Sequence, residues 1–329
     1  MVLPWSRGLP FAGFLGQPTG ANLACGLLIA FGGILEVFYY SRDKVVRLYV
    51  LRSLLAPRVS ARWTDFIRRY YRDAGAGGPP SRVLAKPLRS YLHNRFGPAR
   101  RLKALIDHYE QIDDIFSREC MRAFCAGKSI PVANFAGRKS TRFTLSIAAS
   151  VTALTQREGE LAIFIAKDSD DVKLSRLSLC FATIDGERAL VVGGIQGPKG
   201  GHKRKVIDAT RELYGMRPKD AVFLAARALA RAVLVTSVHA VSDANHVLNR
   251  LQDVQKFAGY DEYWVERGGA FGGPFGFVFE PLDSPTAGTK GRDQLKAAMV
   301  EAMRSFAATH GRRPAAAPVI APIGALAPA

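Results

Sequence analysis

The chain has 329 residues, enough to bury the core of one large or two small domains. Its 48% hydrophobic and 22% charged residues exclude a largely disordered protein. The net charge of +18 predicts an anionic partner, and charge alone leaves open whether this is a phosphate-bearing ligand, a lipid headgroup or a nucleic acid.

The chain begins with an apolar extension over residues 1–40. Residues 21–35 form an apolar run that Glu36 interrupts, whereas a membrane-spanning helix needs about 20 apolar residues. The run also lacks the basic start and the small-residue cleavage site of a signal peptide. We therefore expect a cytoplasmic protein, with peripheral association at the inner membrane through residues 21–40 as the alternative.

Residues 41–138 are predicted to form a basic helical region. Apolar residues at helical spacing predict a first helix that ends before Pro57, a second over residues 60–73, and two further helical stretches that Gly97 and the proline after it divide. Arginines outnumber acidic residues here and are interleaved with aromatic residues, a pattern that suits stacking on bases or a lipid interface. Inward packing of the aromatic residues is the alternative that we favour.

The four cysteines are scattered through the chain. None is spaced as in a C-x-x-C pair, so the sequence indicates neither a zinc site nor a dense disulfide framework. Free thiols in a reducing cytoplasm are the simplest interpretation, and we expect no metal.

Residues 139–285 are predicted to form an α+β core domain. Two β-rich runs around a turn at residues 157–159 predict one antiparallel hairpin, and the turn at Asp185 and Gly186 predicts another. Two helices and a short strand follow. The expected fold is α+β, with the basic helical region packed on a mixed, mainly antiparallel sheet with helices. A predicted C-terminal helix and an Ala/Pro-rich tail that we expect to stay unfolded complete the chain, over residues 286–310 and 311–329.

A glycine-rich loop leads from the second hairpin into a basic helix. Its backbone amides could hold a phosphate, because glycine permits close approach and a helix start attracts negative charge. The loop loosely resembles the pyrophosphate loop of the GCN5-related acetyltransferases, although its spacing is one residue longer and Pro198 removes an amide donor. A tight structural turn is the alternative. The candidate residues for binding an anion or acyl-CoA are Gln196, Gly197, Gly200, Gly201 and Lys203.

Three titratable residues are candidates for acid–base catalysis. His108 lies on a predicted helix, His246 follows the strand that ends near Ser242, and Asp261 lies near the start of another predicted helix. His239 and His246 are seven residues apart across a strand-to-helix change, so they do not form a metal-binding pair. Packing is the more common role of a residue such as His108, and capping of the next helix explains Ser242 and Asp243, at the same strand end as His246, without a function.

Three stretches resemble the VirK/YbjX family of bacterial proteins. They are LRSYLHNRFGPARRLKALIDHYE at residues 88–110, residues 193–246 with GGIQGPKG and ATRELYGMRPK, and YDEYW at residues 260–264. The resemblance covers most of the chain, from residue 44 to residue 285. It implies an association with virulence, envelope stress or resistance to antimicrobial peptides, and it implies no catalytic residue.

Three functions remain open at this point. The first is a VirK-like protein whose basic helical region binds an anionic partner in an envelope or host-interaction pathway. The second is an acyltransferase of acetyltransferase-like fold, which holds acyl-CoA with the loop at residues 193–205. A V-shaped splay between the strands that end near Gly197 and near Ser242 would support it. The third is a nonspecific nucleic-acid binder that uses the Arg-rich helices.

Overall fold

The computed structural model describes residues 44–170, 172–198, 200–249, 259–283, 288 and 291–312. The chain divides into two compact units, Met1–Leu54 and Leu55–Ala329. The described residues of the first unit, 44–54, all belong to helix α1 (Lys44–Leu55). The predicted extension over residues 1–40 and almost all of the predicted tail lie outside the described residues. None of the described helices is long and apolar enough to cross a membrane.

The predicted helices before residue 74 are confirmed, with a change at Pro57. This proline begins the second helix, because the first turn of a helix needs no N–H from that residue. The predicted helical stretch before Gly97 is wrong. Residues 89–96 have irregular backbone, with Leu92 at a φ of 58°. The elements of this region are α2 (Pro57–Asp73), α3 (Ser81–Leu84), a 3-10 turn (Lys86–Leu88), α4 (Pro98–Ile115) and α5 (Arg118–Cys125).

Helix α2 has one buried face and one basic face. Trp63, Ile67 and Tyr71 recur every fourth residue and are buried, and the indole N–H of Trp63 donates to the main-chain oxygen of Val83 at 3.1 Å. The inward packing that the sequence favoured is therefore confirmed for these aromatic residues. The arginines of the same helix are exposed.

Eight strands within the described residues form a single sheet. They are β1 (Ser129–Ala136), β2 (Arg142–Ala149), β3 (Leu161–Lys167), β4 (Lys173–Ile184), β5 (Glu187–Gln196), β6 (Ser237–Val241), β7 (Ala270–Gly272) and β8 (Gly276–Phe279). Their order in the sheet is β1-β2-β3-β4-β5-β6-β8-β7. Neighbours are antiparallel except β5 and β6, which are parallel. The predicted α+β fold with a mixed, mainly antiparallel sheet is confirmed.

Both predicted hairpins are present, as β2–β3 and β4–β5. The connection between β2 and β3 is longer than the predicted turn, because it occupies all the residues from 150 to 160. Strand β1 was not predicted. Its sequence contains Pro131, a residue that is uncommon inside a strand, and the pairing with β2 has a register shift at this proline.

The parallel pair needs a crossover, and two helices provide it. Helices α6 (Lys203–Glu212) and α7 (Pro218–Ala232) connect β5 to β6, with Gly215 between them at a φ of 81°. Helix α8 (Tyr260–Val265) precedes the β7–β8 hairpin, and α9 (Gly291–His310) is the last described helix.

The helices pack on the sheet in two groups. In one group, α2, the 3-10 turn and α4 contact one another, and α4 lies on β4. In the other, α7 lies on β3 and β4 and against α9. The core between these layers is apolar and continuous. Near β6 it becomes aromatic, where the rings of Phe223, Trp264 and Phe279 contact one another.

Candidate functional site

Two glycines of β5 make room for a buried carboxylate. Gly193 is the extra residue of a bulge in the pairing of β5 with β4. A Cβ on Gly193 would overlap the main-chain oxygen of Glu158, and a Cβ on Gly194 would lie 2.5 Å from its carboxylate. Only glycine at both positions allows Glu158 to approach the strand this closely.

Glu158 is 2% exposed and lies in the connection between β2 and β3. Its Oε1 accepts a hydrogen bond from Nε2 of Gln196 at 2.7 Å, and its Oε2 accepts one from the hydroxyl of Ser178 at 3.4 Å. Arg176 supplies positive charge nearby: burial lowers the pKa of this guanidinium, and the charge of Glu158 opposes the shift. A buried carboxylate needs such partners, because it loses its hydration.

His246 lies beside this carboxylate. Its Nε2 is 3.3 Å from Oε1 of Glu158, and neither side chain is more than 5% exposed. Its Nδ1 accepts from the main-chain N–H of Leu248 at 3.4 Å, which puts the proton of a neutral ring on Nε2. That N–H is not aligned for a hydrogen bond and finds no other partner among the described residues.

Strands β5 and β6 separate next to this pair. Their parallel pairing runs only from Ala189 to Val192 on β5. Beyond it, the main-chain oxygen of Val241 accepts from the indole N–H of Trp264 at 2.9 Å instead of a group on β5. Within the described residues, the main chain of β5 beyond the bulge is thus left without a neighbouring strand on this side.

The side chain of Tyr260 fills the resulting gap. Its hydroxyl donates to the main-chain oxygen of Ile195 and accepts from the N–H of the same residue, both at 3.3 Å. The ring stacks on His246 with centroids 4.8 Å apart. Burial raises the pKa of Tyr260, and the negative charge of Glu158 adds to this shift. The tyrosine takes the place of a missing strand and stays protonated.

Asp261 and Asp243 position Tyr260. One carboxylate oxygen of Asp243 accepts from the N–H groups of Tyr260 and Asp261, at 2.9 and 3.2 Å, and Asp261 accepts from the N–H of Asp243 at 2.7 Å. The two bonds to Asp243 are the helix capping that the sequence offered as the alternative to a functional role for this residue. The carboxylate of Asp261 therefore binds the main chain of Asp243 and holds the start of α8 in place.

The first residues of the predicted anion loop are tied to the site. The side chain of Gln196 bonds Glu158, as described above, and is half-buried. The main-chain oxygen of Gly197 accepts from the guanidinium of Arg176 at 3.5 Å. Both residues thus connect the loop to the buried carboxylate.

The later residues of the loop face solvent. Gly200 and Gly201 have positive φ values of 24° and 71°, with open space where a Cβ would point. Lys203 is exposed on the first turn of α6, whose N-cap, His202, makes no side-chain capping bond. The start of α6 therefore offers main-chain N–H groups and positive charge together.

Two other histidines do not join the site. His108 is fully buried on α4, where its Nδ1 accepts from the main-chain N–H of Phe181 at 3.0 Å. Burial lowers its pKa well below the usual value, and the positive charge of Lys86 adds to the shift. His239 packs against Phe275, and burial lowers its pKa as well. Within the described residues, no cluster of His, Cys, Asp or Glu could hold a metal ion.

A second buried polar cluster lies two residues along the chain from Glu158. Nζ of Lys86 contacts Oε1 of Glu160 at 2.6 Å, and the hydroxyl of Tyr109 donates to Oε2 at 2.9 Å. The two charged side chains are 3% and 2% exposed. Lys86 belongs to the 3-10 turn, Tyr109 belongs to α4, and Glu160 directly precedes β3. The cluster therefore joins the helical layer to the start of this strand.

The stretches that carry the family resemblance meet around Glu158. The N–H of Leu92 donates to the main-chain oxygen of Arg157 at 2.8 Å, and the amide of Asn94 donates to the main-chain oxygen of Ala244 at 2.5 Å. Strand β5 and Tyr260 supply the remaining contacts. The irregular backbone of residues 89–96 therefore supports the loop that holds His246.

A family model described as "Protein of unknown function (DUF535)" matches residues 40–279. The chain belongs to this family. The "Uncharacterized protein YbjX" of Escherichia coli (strain K12) is 25% identical over 254 residues, which are 76% of each chain. The resemblance to the VirK/YbjX family is thus confirmed. No solved structure matches the chain at a significant level.

Two residues of this DUF535 site were missed from the sequence. The sequence places Glu158 in a predicted turn, and Tyr260 stands out only as part of the YDEYW stretch that carries the family resemblance. The available signal was the pair of consecutive glycines in β5, since neighbouring glycines in a strand indicate that another group approaches closely. The sequence does not say which group that is.

Proposed function

We propose that this protein transfers an acyl group from a coenzyme A thioester bound between β5 and β6. The observation that carries the proposal is the separation of these parallel strands beyond Val192, with the hydroxyl of Tyr260 bonded to both main-chain groups of Ile195. A separation of these two strands supports a thioester site of the acetyltransferase-like kind.

The gap suits the pantetheine arm of coenzyme A. This arm is extended and contains amide groups, so it can bond to an unpaired strand as an added strand would. The N–H and main-chain oxygen of Ile195 are the groups that it would use, after displacing the hydroxyl of Tyr260. Because the ring of Tyr260 occupies the gap, binding includes a rotation of this side chain.

The loop from Gln196 to Gly201 would bind the pyrophosphate. It lies where β5 ends and α6 begins, and Lys203 adds a cation to the uncapped start of that helix. Backbone N–H groups and the helix dipole stabilise a bound anion at such a position. Pro198 donates no N–H, so Gly200, Gly201 and the first turn of α6 carry this role.

Glu158 and His246 would handle the proton. An amine or hydroxyl of the acceptor attacks the thioester carbon, the carbon–sulfur bond breaks, and the acceptor gives up one proton while the leaving thiolate takes one up. The carboxylate of Glu158 would accept the proton that the acceptor gives up and return it to the thiolate, and His246, whose Nε2 lies 3.3 Å from this carboxylate, would hold it in position. The products are the acylated acceptor and free coenzyme A.

This reaction is compatible with the role that the family resemblance implied. Virulence, envelope stress or resistance to antimicrobial peptides would be the pathway in which the acylated product acts, and use of a coenzyme A donor would suit a cytoplasmic location. The free thiols Cys120, Cys125 and Cys180 suit that reducing compartment. Binding of nucleic acid by the Arg-rich helices stays a separate prediction.

Calorimetric titration of the full chain with acetyl-CoA and with a longer acyl-CoA tests the proposal. Gly201→Asp puts a negative charge in the loop, and Gly186→Asp is its control, since both glycines have positive φ and open space at the Cβ position. We expect Gly201→Asp to weaken binding at least tenfold, about 1.4 kcal/mol, and Gly186→Asp to leave it unchanged. No binding, or an equal loss in both variants, would contradict the proposal.

A further inference from the structure

A second candidate binding site lies beside α2. A cavity of about 720 Å³ separates one side of this helix from the loop that follows it. Three arginines line it from the helix, and two glycines and a proline line it from the loop. The charged and glycine residues of the lining are Asp65, Arg68, Arg69, Arg72, Gly77 and Gly78.

The helix side of the cavity carries excess positive charge. Arg69 is paired with Asp65 at 2.7 Å, and Arg72 contacts Asp73 at 3.3 Å. Arg68 makes no ion pair with any residue in the described part of the chain. All four side chains of the two ion pairs are more than half exposed, so the pairs are weak. The guanidinium groups of Arg69 and Arg72 therefore stay available to a ligand.

The loop side is preformed. Gly75 turns the chain at a φ of 67°, and the guanidinium of Arg122 on α5 donates to the main-chain oxygen of Ala74 at 3.1 Å. Gly77 and Gly78 leave the space beside them open. Because the start of this loop is anchored, less of it has to be ordered when a ligand binds.

We propose that this cavity binds a phosphate-bearing molecule. Guanidinium groups form paired hydrogen bonds to phosphate oxygens, and three of them on one helix face match a phosphate better than an isolated carboxylate. The cavity is larger than a phosphate ion, so the ligand has an organic part, which contacts Ala61, Ala76 and Pro79. A soluble phosphate ester and a lipid headgroup share this chemistry. The site is separate from the proposed acyltransferase site.

A matched pair of variants tests the proposal. Arg68→Gln with Arg72→Gln removes two charges from the cavity, and Arg58→Gln with Arg62→Gln removes two charges from exposed positions on the same helix outside it. Circular dichroism and melting temperature establish that both variants fold. The probes are glycerol 3-phosphate, measured by calorimetry, and vesicles of phosphatidylglycerol in phosphatidylcholine, measured by sedimentation.

We expect the cavity variant to lose at least tenfold in affinity for one probe while the control variant loses less than about threefold. A loss seen with glycerol 3-phosphate identifies a soluble ester, and a loss seen only with vesicles identifies a lipid headgroup. Equal losses in the two variants would overturn the proposal, because they would reflect the overall charge of α2. So would no binding of either probe, or binding of a single-stranded oligonucleotide alone. Gly201→Asp should leave this binding unchanged.

Discussion

Replacing Lys86 with methionine removes one half of the buried ion pair with Glu160. The two charged side chains are 3% and 2% exposed and 2.6 Å apart, so loss of the ammonium leaves a carboxylate without its counter-charge and without water. The hydroxyl of Tyr109, at 2.9 Å, would still donate to Glu160, but it carries no positive charge. Breaking one partner of a buried pair costs about 3–5 kcal/mol.

The assay is unfolding in guanidinium chloride, followed by the fluorescence of the buried Trp63 and Trp264. We expect Lys86→Met to lower the free energy of unfolding by about 3–5 kcal/mol. Adding Glu160→Gln, which removes the stranded charge and keeps an acceptor for Tyr109, should recover more than half of that loss. A loss below about 1 kcal/mol for Lys86→Met would refute the reasoning, because that is the range of an exposed pair.

Two further variants test the buried polar groups. Gly194→Ala should lower the free energy of unfolding by about 1–3 kcal/mol, since its Cβ would lie 2.5 Å from the carboxylate of Glu158, and an unchanged midpoint in urea would contradict the close approach. His108 has a lowered pKa when folded, so the unfolded chain binds its proton first as the pH falls below about 6.5. The free energy of unfolding should therefore decrease from pH 7 to pH 5 in the wild type, by up to about 1.4 kcal/mol per pH unit more than in His108→Gln. If the two proteins lost stability equally with falling pH, this reasoning would be wrong.

Much of the fold could be predicted because its signals are local. Helical spacing of apolar residues located α2 and α4, and turn residues located the β4–β5 hairpin. The order of the strands was not predictable in this way. It depends on which strand lies beside β5 after the α6–α7 crossover, and that is decided by packing between distant segments.

The predictions failed where tertiary contacts replace local preference. The stretch before Gly97 has helical spacing, yet it is irregular because Leu92 and Asn94 bond to the segments at Arg157 and Ala244. Glu158 follows turn-forming residues, yet it is buried because two glycines of β5 make room for it. Neither contact has a signal within a short window of sequence.

The candidate site was predictable only in part. His246 was selected because it follows a strand end, Gln196 because it belongs to the glycine-rich loop, and both lie against Glu158. His108 was selected for its residue type alone, and its ring instead bonds the backbone of β4. Residue type alone therefore selected a residue outside the site, whereas the two selected residues that contact Glu158 both lie near the end of a strand.

The gap between β5 and β6 is the centre of the proposed function, and Tyr260→Phe tests it. In the wild type, a bound thioester must first break the two bonds between the Tyr260 hydroxyl and Ile195. Phenylalanine keeps the ring but lacks these bonds, so it leaves two buried main-chain groups unpaired, which costs about 1–3 kcal/mol of stability. A ligand that bonds to those groups recovers the loss.

The decisive measurement is the dissociation constant of acetyl-CoA for Tyr260→Phe beside that of the wild type. If the thioester binds against Ile195, the variant unfolds more easily yet binds acetyl-CoA on the order of tenfold more tightly. Unchanged or weaker binding by a folded Tyr260→Phe variant would contradict a thioester site between β5 and β6.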